Sequence, residues 1–260
     1  NDLGLLWLEM GRRDRAETML RRALDLQEQW LGADHPERAN TLFNLSLLLQ
    51  ERGDHAAAQP VLRQVLALDR KHYAPDHPNV AYSLVNLASS LRHTGRFAAA
   101  ESLYAEALAI RREVLAPGHP DRIKTLGDHG LSLAQQGRYA EAEPILRQAV
   151  ARAREHLGRH RLTAGRLDDL GWLLRDLGRP QQALPLHREA LAIKQEVLGP
   201  QHKHTAITLL HLGHTLRDLD RLSEAREVQQ RALAIADAAF GPDNVFTATN
   251  ATALARILLA

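Results

Sequence analysis

The sequence repeats itself every forty-two residues, six times over. The pair Leu31-Gly32 returns as Tyr73-Ala74, Leu115-Ala116, Leu157-Gly158, Leu198-Gly199 and Phe240-Gly241. Successive spacings are 42, 42, 42, 41 and 42, so one residue is lost between the fourth and fifth copies. A histidine keeps the same step as His35, His77, His119, His160 and His202, with Asn244 in the sixth place. So does a turn glycine, as Gly11, Gly53, Gly95, Gly137 and Gly178, then Asp220. A fixed period of this size means one supersecondary unit stacked on itself, with a shared core and an extended surface.

The copy that starts at His77 shows what the unit is. Pro78 suits a first helical turn, where its missing N–H costs nothing. Ala81, Leu84, Leu87, Ala88 and Leu91 then recur at spacings of three and four, which makes one apolar stripe. Gly95 ends that helix, and a second follows with Phe97, Ala100, Leu103, Tyr104, Ala107, Leu108 and Ile110 on its buried face. The pattern predicts an all-α chain, an α-solenoid of antiparallel helix pairs. Thirteen helices are expected, from a truncated one before Gly11 (Leu3, Leu5, Leu6, Leu8) to a final one after Phe240.

Small residues recur where backbones must approach. The first helices carry Ser46, Ala88, Gly130, Gly171 and Gly213, and the second carry Ala16, Ala58, Ala100, Ala142, Ala183 and Ala225. Large residues fill other columns, such as Leu42, Leu84, Leu126, Leu167 and Leu209. This alternation lets neighbouring helices interdigitate. The fourth connector, residues 158–163, is expected to be the least regular, because it is one residue short and has lost its proline.

The strings Asn44-Leu45-Ser46, Asn86-Leu87-Ala88 and Gly95-Arg96-Phe97, with Ala58 and Ala100, resemble a tetratricopeptide repeat. The longer period, the Leu-Gly-x-x-His-Pro connector and Tyr139-Ala140-Glu141-Ala142-Glu143 resemble the kinesin-light-chain type of that repeat. The resemblance covers essentially the whole chain, residues 1–260, as a single array of about six helix pairs plus a final unpaired helix. It implies a right-handed superhelix. The closing proline of the repeat is absent, and repeats four to six lose the His-Pro pair (His160-Arg161, His202-Lys203, Asn244-Val245).

Composition narrows the function. The formal charge is +2 with no basic run, which argues against nucleic acid as a partner. Cysteine is absent, so disulfides and thiolate metal sites are excluded. No apolar stretch approaches a membrane span and no signal peptide is present, so the expected location is cytoplasmic. Basic residues are almost all arginine, the lysines being Lys71, Lys124, Lys194 and Lys203, a bias that suggests a GC-rich bacterial genome. The chain starts without Met inside an apolar run and ends without a polar closing helix, which predicts a piece of a longer protein.

Fourteen histidines raise the question of a metal or acid–base site. The connector histidines stand one per repeat, about 8–10 Å apart, too far to share an ion. They read as connector and cap residues. His211 and His214 are three apart on one helix but lack a readable third ligand, so no metal or cofactor is expected. No nucleophile elbow or phosphate loop is present, and the paired Asp168-Asp169 reads as solvated or groove-lining. The expectation is a non-enzyme.

The resemblance also implies that the first helix of each pair lines a groove where extended peptides bind. Its amide position falls on Asn44 and Asn86, then drifts to Asp128, Asp169 and His211. By helical spacing Phe43, Val85, Ser89, Trp172 and His214 flank that column, and Arg92, Arg175 and Arg217 lie one turn further. Trp172 stands outside a core stripe already filled by Leu167, Leu170 and Leu174; it reads either as a binding anchor or as a packing residue. Arg175 is expected to be contested by Asp168 and Asp176. The leading expectation is a scaffold for a peptide or partner domain, with self-association through uncapped ends. The alternative is the sensor region of a larger bacterial signalling protein, fused to an NTPase, protease or kinase.

Overall fold

The computed structural model describes residues 12–259. Among them are twelve α-helices and no strand. They are α1 (Arg13–Leu31), α2 (Glu37–Glu51), α3 (His55–His72), α4 (Pro78–His93), α5 (Phe97–Val114), α6 (Pro120–Gln135), α7 (Tyr139–Leu157), α8 (Arg161–Asp176), α9 (Pro180–Val197), α10 (Lys203–Asp218), α11 (Leu222–Phe240) and α12 (Val245–Leu258). The helix expected before Gly11 lies outside the described residues. Among those described, no helix is long and apolar enough to cross a membrane.

The helix boundaries follow from two small devices. Gly53, Gly95, Gly137 and Gly178 adopt φ between 71° and 81° in the turn inside each pair. In the sixth place Asp220 adopts the same left-handed region at φ 59°, which a short polar side chain tolerates best after glycine. The second device is the histidine column. His77, His119, His160 and His202 are N-caps whose Nδ1 accepts from the backbone N–H two residues on, at 3.1–3.2 Å. Asn244 does the same with its side-chain oxygen, to Phe246 at 2.8 Å. The histidine that marks the period is therefore a helix cap, which satisfies one of the four orphan donors of each helix start.

The chain divides into two compact units, residues 1–116 and 117–260. In the first, α1 to α5 pack in consecutive pairs around Leu20, Leu48, Leu62, Leu84 and Tyr104, all fully buried. In the second, α6 to α12 pack likewise, and the first helices α6, α8, α10 and α12 also touch one another in that order. The alanine column is wholly inaccessible in both units: Ala58 and Ala100 in the first, Ala142, Ala183 and Ala225 in the second.

The last helix and the fourth connector depart from the other repeats. The final helix does not present its whole apolar stripe: Ile257 is 2% exposed and packs with Leu212, Leu216 and Ala225, leaving only Leu258 and Leu259 outside. The fourth connector has three residues, 158–160, against five in 198–202, and the chain turns there through Gly158 with φ 57° and ψ −132°.

The candidate binding face of the first helices

In the first unit this face carries aromatic rings and amides. Phe43 on α2 and Tyr82 on α4 stack in a tilted pair with centroids 5.2 Å apart, and Tyr82 remains 46% exposed. Asn44 and Asn86 are half-buried beside them. The Asn86 amide donates to the Tyr82 carbonyl at 2.8 Å, which keeps the side chain against its own helix with its oxygen free to accept. Ser89 and Arg92 are half-buried one turn on. Val85, expected on the face, instead belongs to the core, because its Cβ direction carries it into the cluster with Leu84 and Leu87.

In the second unit the face is charged, and most of the charge is consumed internally. Asp128, buried, accepts from Lys124 at 2.9 Å and from Arg166 at 3.0 Å. Arg166 also pairs with Asp169 at 3.1 Å. A methyl on Gly127 would overlap the Arg166 guanidinium, so that glycine makes the space for the network. Asp128 and Asp169, expected as ligand contacts, are thus both bound to the buried Arg166, which reaches Asp128 from the next first helix and Asp169 from its own.

Asp168 is neither solvated nor groove-lining, the two readings its sequence allowed; it is 4% exposed. Its Oδ2 accepts from Lys194 at 2.6 Å and Thr208 at 2.5 Å, and its Oδ1 from His187 Nδ1–H at 3.2 Å. Burial alone would raise its carboxyl, but the Lys194 ammonium and the His187 hydrogen bond outweigh that and hold it well below the usual carboxylate range. Consequently Asp168 does not contest Arg175, nor does Asp176, which accepts from Tyr139 at 2.7 Å. Arg175 faces Asp218 at 3.8 Å instead, and Arg217 donates to the same carboxylate at 2.8 Å.

The remaining expected residues lie further along. Trp172 is half-buried and packs against the cluster built on Leu133, Leu146, Leu167 and Leu173. Burial pushes His211 down to about 4, reinforced by His187, Lys194 and Arg175 against the opposing pull of Asp168. His214 falls to about 4 as well, through burial and the nearby Arg175 and Arg217. Both imidazoles are therefore neutral at pH 7.

At the connector edge of the same face lies a cleft of about 470 Å³, lined by Lys124, Arg161, Arg166, Lys194, Lys203 and His204 among others. Three of the four lysines of the chain gather there. Lys124, Arg166 and Lys194 are paired as described, whereas Arg161 and Lys203 have no ion-pair partner among the described residues. Gly165 opens the cleft, since nothing lies within 4 Å of where its Cβ would be.

His187, Lys194, Thr208 and Arg166 were missed by sequence reasoning. One signal was present. The second-helix column that reads Leu20, Leu62, Tyr104 and Leu146 changes to His187 and Gln229, a polar break in a core position.

Comparison with known proteins fits this architecture. The chain is similar to a putative kinesin light chain of Podosopora anserina with nearly identical TPR-like repeats, at 24% identity over 78% of this chain and 97% of that one, TM-score 0.64. It is similar to BtubC (BKLC) from P. vanneervenii at 21% identity over 88% and 89%, TM-score 0.65. It is similar to a Rap protein complexed with competence and sporulation factor at 14% identity over 98% and 72%, TM-score 0.65. No protein of curated function matches it by sequence. The tetratricopeptide repeat profile matches residues 1–71, 79–155, 121–196, 164–238 and 204–260, and the chain belongs to the tetratricopeptide repeat family, whose fold generally serves as a scaffold for protein–protein interaction.

Proposed function

We propose that the chain is an interaction scaffold that holds an extended peptide on the first-helix face of residues 12–116. The observation that carries this is the juxtaposition of Asn44 and Asn86 with the Phe43–Tyr82 pair, in which Phe43 is half-buried and Tyr82 exposed. A side-chain amide both donates and accepts, so it matches the backbone of an extended peptide whatever its sequence. The aromatic pair offers apolar contact at low conformational cost, the usual form of an anchor. The partner bound to the Rap protein in its complex is consistent with this use of the fold. In the second unit the cleft with Arg161 and Lys203 suits an acidic group of a ligand. The reaction chemistry of an enzyme has no counterpart in this reading.

The test is fluorescence anisotropy against a peptide library immobilised, selected and then resynthesised with a dye. Asn44→Ala with Asn86→Ala should weaken selected peptides at least tenfold, with unchanged helical circular dichroism. Peptides that bind the double variant as tightly as the parent would exclude this face as the site.

A further inference from the structure

The cleft at the start of α8 and α10 holds more positive charge than the fold consumes. Five cationic side chains line it: Lys124, Arg161, Arg166, Lys194 and Lys203. Asp128 pairs with Lys124 and Arg166, Asp169 with Arg166 again, and Asp168 with Lys194. Arg161 and Lys203 have no ion-pair partner among the described residues, and both are exposed. Asp121 is the one acidic side chain among the described residues that line the cleft. His204, also lining it, reports the field. Partial burial lowers its imidazole, and Lys194, His202, Lys203 and Arg161 all push it the same way. The first turns of α8 and α10 border the cleft, so the partial positive charge of two helix starts adds to that of the side chains.

Gly165 points the same way. The matching place in other first helices holds Asn40, Tyr82, Lys124, Ile207 and Thr249. Glycine inside a helix costs stability, and here no packing requires it, since a Cβ would meet nothing within 4 Å. What the missing side chain provides is room. Gly165 lines the cleft, whose volume of about 470 Å³ lies in the range of small-ligand pockets.

We propose that this cleft binds a phosphate monoester as its dianion. Such a group carries about −1.5 to −2 charges at neutral pH and offers three acceptor oxygens. A carboxylate offers a single charge and two oxygens. The two unpaired cations match the dianion: Arg161 can donate two parallel N–H bonds to it, and Lys203 acts as a point charge. The volume left beyond the phosphate takes the group that carries it. The proposal rests on the reading of this cleft as a seat for an acidic group, and it is independent of peptide binding on residues 12–116.

The experiment titrates the whole chain by calorimetry at about pH 7.5, where a phosphate monoester is mostly dianionic. The probes are adenosine monophosphate, a phosphoserine peptide, the same peptide with glutamate in that place, and acetate. One phosphate ester per chain is expected to bind, with the glutamate peptide and acetate at least tenfold weaker. The tighter of the two esters tells whether the carrier is a small molecule or a protein segment. Arg161→Gln with Lys203→Gln should weaken the ester at least tenfold. Gly165→Leu should fold at least as stably as the parent and yet lose binding, because its side chain fills the cleft. Asn44→Ala with Asn86→Ala should bind the ester as the parent does. Bound ester should also raise the titration midpoint of His204, followed by ring-proton resonances assigned with His204→Gln, since the dianion offsets the cations that depress it. Failure of both esters to bind, or undiminished binding by the Arg161/Lys203 double variant or a folded Gly165→Leu, overturns the site. A glutamate peptide that binds as tightly as its phosphorylated form overturns the phosphate and leaves the acidic-group reading standing; if no probe binds, both fall.

Discussion

Gly171 and His187 are complementary: a methyl group on Gly171 would lie 2.6 Å from His187 Cε1 and 2.8 Å from Nε2. The same relation holds one repeat earlier, where Gly130 faces Leu146. The absent Cβ of the first helix is thus the hole into which the second helix of the pair inserts its largest buried side chain. Glycine is unfavourable inside a helix by about 0.5–1 kcal/mol relative to alanine, and the packing it allows offsets that.

This gives opposite expectations for two glycine-to-alanine changes on α8. Gly171→Ala forces a rigid, buried ring to move and should destabilise by about 1–3 kcal/mol, propensity notwithstanding. Gly165→Ala meets nothing within 4 Å and should stabilise by about 0.5–1 kcal/mol. Urea unfolding midpoints of the two variants check the pair; two shifts of the same sign would refute the steric account.

The histidine caps invite a substitution series. His119 Nδ1 accepts from the Asp121 N–H at 3.2 Å, and Asn244 performs the same role with a carbonyl oxygen. His119→Asn should therefore leave stability within a few tenths of a kcal/mol, while His119→Ala should cost about 1 kcal/mol. Thermal denaturation distinguishes these. Equal losses for both variants would mean that the ring packs rather than caps.

Much of this was legible in the sequence, for a physical reason. A repeated unit averages out accidents, so the period, the turn glycines and the small-residue columns each appear five or six times. The capping histidines could be read as connector residues on spacing alone. What escaped were departures from the average that occur once. Arg166 replaces the Thr41, Ser83 and Thr125 column and recruits Asp128, while Lys194 reaches across from the following second helix to Asp168. These partners are 38 and 26 residues apart, and no helical periodicity links them. Val85 shows the complementary limit: one step along a helix decides between face and core, and spacing alone placed it on the wrong side.

The neutral histidines set a pH dependence whose sign is fixed. His211 and His214 are held at about 4 when folded, against 6.5 for a free imidazole. Between those values the unfolded chain binds more protons, so stability falls as pH drops from about 6.5 to about 4 and is insensitive to these groups below that. Each tenfold loss of proton affinity on folding is worth about 1.4 kcal/mol, so His211 contributes on the order of 2–3 kcal/mol to that fall, and the more open His214 less. Asp168, depressed by Lys194, adds a loss in the same direction below the ordinary carboxylate range. His211→Asn, which installs the residue that Asn44 and Asn86 supply at the matching place, should flatten the slope between about pH 6.5 and 4.5. Parallel slopes in the parent and the variant would show that His211 is not the group that titrates.

The last helix separates folding from association. Ile257 is 2% exposed, whereas Leu258 and Leu259 are 52% and 89% exposed on the following two positions. A carboxylate at 257 would be buried among Leu212, Leu216 and Ala225 without a partner, so Ile257→Glu should unfold the α11–α12 region at a cost of several kcal/mol, about 3 or more. Leu258→Glu with Leu259→Glu leaves that cluster intact and should change stability by less than about 0.5 kcal/mol. We propose that the exposed pair promotes self-association, since covering one such side chain is worth up to about 1.5–3 kcal/mol. Sedimentation velocity over a hundredfold range of concentration should then show a weight-average coefficient that rises for the parent and stays flat for the double variant. A parent that remains monomeric throughout, with α12 protected from hydrogen exchange, would leave the exposed leucines without a role in assembly.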